Sequence, residues 1–452
     1  METLSQILVV IFFVVMFVII TIGKIHRYIP ALVGAALTLL VLLFVLQSSQ
    51  ACFDVLNLSE IFKPIFWIPG HEHLESHGVN WQTLIFIAGM MIMVEGLAKV
   101  GFFRWMCLVV AKVVHYKVVP ILVTFTVLAG FLSMFIDSIT VMLFLATVTI
   151  EISRMLKFDP VPVIISEIFA SNIGGSATMS GDPPNIIIGT SLGYTFTDFI
   201  ANTGIIALAG MAVCLIFIFF SFRKTLNASY AKNNGSEAPK YPEPREAITN
   251  RGLFLLHTGI FLVVIVLLIT HAQTGISVAL IGVIAAALTL AAVNRETPHI
   301  MKNVDWRTLL FFIGLFICVG GLEETGALNL LANFIGKVCG GNLTAAISII
   351  LWLSAIASSL VDNIPFAATM VPVISQLAQT QGMNLHPIAW ALALGTDIGG
   401  NGTPIGASAN VVGTAISERE GYPISWGKYL RYGIPLMILV IGLCNLLLLW
   451  KY

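Results

Sequence analysis

Charge is what this 452-residue sequence has least of: Asp, Glu, Lys and Arg together make up 10% of it, against about 25% in a soluble globular protein. A soluble fold is excluded on that ground. Lys plus Arg and Asp plus Glu each number 23, so no basic excess draws the chain to nucleic acid. Cysteine is scarce too. Cys52, Cys107, Cys214, Cys318, Cys339 and Cys444 are scattered with no CxxC or Cys/His spacing, which excludes a disulfide framework and a structural zinc site. What the chain has in abundance is apolar: 58% of residues are hydrophobic and the mean hydropathy is +0.95. It reads as an all-α polytopic membrane protein, because lipid cannot hydrogen-bond a bare backbone and about 20 apolar residues cross the hydrocarbon core.

Apolar runs at 4–22, 29–47, 82–98, 203–222, 252–270, 276–293, 308–322 and 433–450 predict spans. Two longer ones, 162–193 and 387–416, are interrupted by polar residues, and 119–156 and 345–375 have the form of hairpins. The first span is too long and too poorly flanked for a cleaved signal peptide, so it reads as an anchor. With both termini outside and the spans alternating, 20 of the 23 basic residues fall on the cytoplasmic side, leaving only Lys63, Lys337 and Lys451 outside. The polar stretch 223–251 is then a cytoplasmic linker with too little apolar content to fold alone.

The halves on either side of it, 1–222 and 252–452, match at one offset. Trp81-Gln-Thr-Leu-Ile-Phe answers Trp306-Arg-Thr-Leu-Leu-Phe, 225 positions later. Gly101 answers Gly326, Asp137 answers Asp362, Gly174-Gly175 answers Gly399-Gly400, Thr178 answers Thr403 and Asn185 answers Asn410. Upstream, Ala31-Leu-Val-Gly34 answers Ala279-Leu-Ile-Gly282 at 248. Five crossings per half, an odd number, place the halves in opposite orientations: two inverted repeats, each with five spans (one broken) and a hairpin, the plan of secondary transporters.

The interruptions carry the chemistry. Asp137, with Ser138 and Thr140, lies between two apolar arms with no polar turn cluster around it, and Asp362-Asn363 does the same in the second half. A re-entrant hairpin that buries the acid is the expectation; two full crossings would preserve the same topology. In the broken spans, Asn172, Gly174, Gly175, Thr178, Asp182 and Asn185 face Asp397, Gly399, Gly400, Thr403 and Asn410. Gly-Gly and Pro183-Pro184 cannot propagate a lipid-facing helix, and unwound backbone at membrane depth is tolerated only where it lines a cavity or is buried in protein. Freed carbonyls and half-helix ends then become ion ligands. An Asp at the bilayer centre costs about 2.5–3.5 kcal/mol, which makes Asp137, Asp182, Asp362 and Asp397 candidate ion ligands or proton carriers. Asp182 answers Ala407 and Asp397 answers Asn172, so the halves are not equivalent in charge.

Ser171-Asn-Ile-Gly-Gly-Ser-Ala-Thr178, Gly181-Asp-Pro-Pro-Asn185 and Val361-Asp-Asn-Ile-Pro365 resemble the arsenite-permease/NhaD branch of the ion transporter superfamily, in particular the group of the melanocyte P protein and its bacterial relatives. The resemblance runs over nearly the whole chain. It implies a scaffold, a moving transport domain, often a homodimer, and hairpin tips that meet the broken helices at a midplane site. One site would join Asp137, Ser138 and Thr140 to the loop near Gly174, Gly175, Thr178 and Asn185, and its mirror would use Asp362, Asn363, Thr403 and Asn410. Candidate sodium ligands are Asp137, Ser138, Asn185, Asp362, Asn363 and Asn410. The chain departs from relatives at the first tip, where they often have Asp-Asn and this one has Asp137-Ser138.

Three cargoes fit such a carrier: sodium exchanged for protons, arsenite or another oxyanion, and carboxylates such as citrate. Every Lys and Arg lies in a loop or near a span end, so no buried cation is expected to await a polyanion, and four buried acids favour a cation or a neutral solute coupled to protons. No cofactor beyond sodium and protons as coupling ions is expected, and the predicted location is a bacterial or archaeal cytoplasmic membrane. An intramembrane aspartyl protease is excluded, since neither Tyr-Asp nor Gly-x-Gly-Asp occurs at these acids. In the external loop, His71, His73 and His77 are metal-ligand residue types, but a solvated loop is the reading preferred for them. Residues 102–117 read as an interfacial helix, and Glu95, Glu167, Glu323 and Glu324 receive no role beyond that of candidate proton relays.

Overall fold

The computed structural model describes residues 2–22, 24–68, 78–233, 241–293 and 297–452. The histidine-bearing loop at 71–77 and part of the 223–251 linker lie outside the described residues. The described residues contain helices and no strands. Helix α1 spans Glu2–Ile22 and α2 Tyr28–Leu40; α3 is Trp81–Lys99, α4 Phe102–Val113, α5 Val118–Ser133 and α6 Ser138–Leu156. Next come α7, Val161–Gly175, α8, Pro183–Leu192, and α9, Ile205–Asn233. The second half repeats the sequence of elements: α10 Arg251–Thr274, α11 Val278–Val293, α12 Trp306–Glu324, α13 Ala327–Cys339, α14 Leu343–Leu360 and α15 Asn363–Gln381, then α16 Leu385–Gly399, α17 Ser408–Arg419 and α18 Trp426–Lys451. Nine helices among the described residues are long and apolar enough to cross a membrane.

Lengths and breaks follow from the residues. Asp137 and Asp362 occupy the N-cap positions of α6 and α15, where a carboxylate meets unpaired amides and the positive helix end. Gly174-Gly175 closes α7 and Gly399 closes α16, while Pro183-Pro184 opens α8 at positions that need no amide donor. Two bodies result. In one, α2 packs on α12 and α3 on α11, each pair joining the two halves of the chain. In the other, α5 lies on α7 and α14 on α16, α6 crosses to α17, and α8 to α15. Helices α4 and α13 lead from the first body to the hairpins. The α4 helix forms within the expected helical segment 102–117, whereas α13, at the same place in the second half, was not foreseen.

The linker differs from its expectation. Helix α9 continues to Asn233, and 241–250 docks on α4: Tyr116 Oη donates to the Pro242 carbonyl at 2.9 Å, its ring stacks on Tyr241, and Lys112 pairs with Glu243 at 2.7 Å. The segment borrows the apolar surface it lacks. Burial, with the Glu243 carboxylate and Tyr241 close by, pushes the Tyr116 hydroxyl above its ordinary range.

Candidate functional site

Each hairpin turn is bolted to a helix break by the same bonds. Thr178 Oγ1 donates to the Met134 carbonyl at the first turn, and Thr403 Oγ1 donates to the Ser359 carbonyl at the second, at 2.5 Å. Inside each break an asparagine amide takes up freed carbonyls. Asn185 Nδ2 donates to Gly175 O and Thr178 O at 2.9 and 3.1 Å, and Asn410 Nδ2 to Gly400 O and Thr403 O at 2.7 and 2.8 Å. Every partner in one set sits 225 positions from its counterpart in the other. Closing these carbonyls with a side chain that stays in place removes the cost of leaving them bare at membrane depth.

The glycines serve close packing. A Cβ on Gly174 would fall 2.1 Å from the Gly130 carbonyl oxygen, and one on Gly399 would fall 2.4 Å from the Ala355 Cα. Gly175 leaves room for the Asp182 carboxylate, 2.7 Å from where its own Cβ would be.

Between the two breaks the halves reach into one another. Asn172, on α7, donates to Asn401 Oδ1 at 2.8 Å and to Asn410 Oδ1 at 2.9 Å. Its counterpart Asp397, on α16, has Asn185 beside it, so the 172–410 and 397–185 pairs mirror each other across the junction, with Asn363 and Asp182 also next to Asp397. All of these except Asn363 are at most 1% exposed. Neither oxygen of Asp397 is hydrogen-bonded, nor are Asp182 Oδ2, Asn185 Oδ1 and Asn172 Oδ1. Asp182 Oδ1 accepts from Ser138 Oγ at 2.6 Å and from its amide at 3.2 Å, tying the break to the first tip.

The four acids therefore stand in different surroundings. Asp137 is occupied by its own helix, accepting from the Thr140 amide at 2.9 Å and the Thr140 hydroxyl at 2.8 Å. Asp182 and Asp397 present open oxygens to the junction. Asp362 is paired with a cation: Arg27 lies in a loop and is only partly buried, as expected of the basic residues, yet its side chain reaches the second tip. Arg27 Nη1 lies 3.0 Å from Asp362 Oδ2, and Ser408 Oγ donates to the same oxygen at 2.9 Å. Arg27 comes from the α1–α2 loop, far along the chain from either tip. Asp137, Ser138, Thr140, Thr178, Asp182 and Asn185 come together at the first tip, and Asp362, Thr403, Ser408 and Asn410 at the second. Asn172, Asn185, Asp182, Asn363 and Asp397 join the two. Asn401 was not foreseen; its signal was the polar run 397–403 itself.

Oxygen donors of this kind, carboxylate and amide without thiolate, suit a hard alkali cation or a proton. Among the described residues no group of three or more His, Cys, Asp or Glu side chains is placed to hold a metal ion. A cavity of about 670 Å³ opens between α8, α12 and α15, with Asn80, Ser191, Phe316, Glu323, Ser375 and Gln379 in its wall.

Residues 15–395 match the family CitMHS, described as citrate transporter. The "46 kDa membrane protein" of Mycobacterium leprae is 32% identical over 443 residues, covering 97% of both chains. The human P protein is 31% identical over 457 residues, which is 82% of this chain and 54% of that protein. The crystal structure of the Alcanivorax borkumensis YdaH transporter, described as having an unusual topology, covers 94% of this chain and 98% of its own, with a TM-score of 0.61 at 14% identity. That likeness establishes a shared fold.

Proposed function

The chain belongs to the citrate transporter family CitMHS, and on that premise we propose that it is a secondary active transporter that works by alternating access and exchanges sodium for protons. It is an integral membrane transporter of small solutes; sodium as the cargo and the arsenite-permease/NhaD affinity are the finer parts of the proposal. The observation that carries it is the junction of the two breaks. Asp182 and Asp397 are buried there with three unbonded oxygens between them, and the guanidinium that reaches the site is engaged with Asp362. Buried acids without a counter-charge call for a cation or a proton.

The moving part is the body made of both hairpins and both broken helices, and the scaffold is the α2–α12 and α3–α11 body. The repeats 1–222 and 252–452 are inverted, with 223–251 cytoplasmic and both termini outside. Support comes from the equivalent bonds at an offset of 225 and from the placement of basic residues. A carboxylate cargo entering together with cations is the second reading, favoured by the family description and by Arg27, a guanidinium suited to carboxylates.

Purified protein in liposomes with a trapped pH dye, challenged in turn with sodium, lithium, arsenite and citrate, tests both. Sodium or lithium should drive a saturable pH change. Asp397→Asn should reduce it on the order of tenfold or more, and Asp137→Asn likewise while remaining folded, since asparagine caps a helix as well as aspartate does. Movement with citrate or arsenite and silence with cations would overturn the exchange of sodium for protons.

A further inference from the structure

Arg27 is held from both sides. Its Nη2 donates to Thr308 Oγ1 on α12 at 3.0 Å, and Thr308 Oγ1 donates to Asp305 Oδ2 at 2.5 Å. The guanidinium lies 5.1 Å from the centre of the Phe311 ring. These scaffold contacts aim Nη1 at the moving body, where it meets Asp362 Oδ2 and Ser408 Oγ, both at 3.0 Å. The pair is only partly covered, with 27% and 18% of the two side chains exposed, so a small ion has access to the carboxylate.

Among the described residues the first half shows no equivalent ion pair at Asp137. At the offset of 248 that aligns the α1–α2 and α10–α11 segments, Arg27 answers Gly275, which has no side chain. Asp137, the counterpart of Asp362, is instead satisfied within the first turn of its own helix, by the Thr140 amide and hydroxyl. The guanidinium is thus an added device on one tip.

We propose that Arg27 is a scaffold-borne counter-ion that takes the place of the transported cation on Asp362, so that cation and guanidinium compete for one carboxylate. This rests on the cation reading above and adds Asp362 to Asp182 and Asp397, the acids on which that reading stands. In the empty carrier Arg27 neutralises Asp362 and ties the moving body to the scaffold through Thr308. A cation on Asp362 displaces Nη1 and frees the body to move. Competition of this kind restrains the empty carrier from crossing, which is a condition for coupled transport.

The test is thermal denaturation of the purified protein in detergent, titrated with sodium chloride against choline chloride as the ionic-strength control. Wild-type protein should be stabilised by sodium. Arg27→Gln should reach half-maximal stabilisation at a sodium concentration about tenfold lower, the factor for an ion pair worth ~1.4 kcal/mol, and Arg27→Lys should stay close to wild type. An unshifted midpoint in folded Arg27→Gln overturns the competition while leaving the cation reading intact. A wild type indifferent to sodium overturns both. Stabilisation by citrate that is lost in Arg27→Gln makes Arg27 an anion ligand and also overturns the proposal.

Discussion

Gly174 and Gly399 matter for what they leave out. With the Gly130 carbonyl oxygen 2.1 Å from where a Cβ would stand at position 174, and backbone on both sides, Gly174→Ala must push α7 off α5. Overpacking of this kind costs ~1–3 kcal/mol, and it acts at the junction that holds Thr178 to the first turn. The expected result is a denaturation midpoint several degrees lower in detergent, together with lost transport; an unchanged midpoint would mean that the two helices are not held this closely. Sequence singled out Gly174 and Gly399 as ligand-loop residues; their close packing was not legible, because spacing shows that a helix stops and not what it stops against. The acids show the same boundary. The sequence singled out all four and matched Asp137 to Asp362 at an offset of 225, but Asp182 and Asp397 alone are fully buried. The surroundings that separate Asp397, with open oxygens, from Asp362, paired to Arg27, were not legible. Arg27 lies 335 residues from Asp362, in a segment whose repeat partner is a glycine, so no periodicity pointed to it.

The amphipathic helices α4 and α13 begin in the same way, after Gly101 and Gly326 with φ of +83° and +71°, and differ in what surrounds them. A Cβ on Gly101 would lie 1.8 Å from the Ala247 carbonyl oxygen, in the docked end of the linker; on Gly326 the nearest atom is 3.7 Å away. Gly326→Ala should therefore cost only the left-handed backbone penalty, about 1–2 kcal/mol. Gly101→Ala adds a steric clash and should displace 241–250 from α4. Comparing the two denaturation midpoints checks this, and equal losses would show that the linker contact contributes nothing. Helix α4 was legible from its basic and aromatic flanks. Helix α13 lacks them, with Lys337 alone in its last turn, and only the match of Gly101 to Gly326 pointed to it.

The equivalent bonds within the body of hairpins and broken helices contrast with its unequal contacts to the α2–α12 and α3–α11 body. At the start of α3, Thr83 Oγ1 meets Thr190 Oγ1 at 2.7 Å, and Asn80 reaches Thr190 and Ser191, near the far end of α8. At the start of α12, the counterpart Thr308 connects through Arg27 to Ser408, the first residue of α17. Full correspondence would place Thr308 opposite Ala415. The difference is seven residues, about 10 Å along a helix. The body of hairpins and broken helices therefore sits off the midpoint between the halves, toward the side that carries Arg27, Asp305 and Thr308. Exchanging the roles of the repeats generates a second position, in which Thr83 slides to the start of α8 and Thr308 reaches Ala415. On the proposed orientation the present arrangement places the junction nearer the cytoplasm and its exchange places it nearer the outside, which is what alternating access requires. Disulfide trapping in a cysteine-free background separates the two positions. Thr83→Cys with Thr190→Cys should cross-link in the arrangement described, and Thr308→Cys with Ala415→Cys only in the exchanged one. In membranes under an ion gradient both pairs should form, and the second should arrest transport. If only the first pair ever forms, the two bodies are fixed to each other and the repeats do not exchange roles.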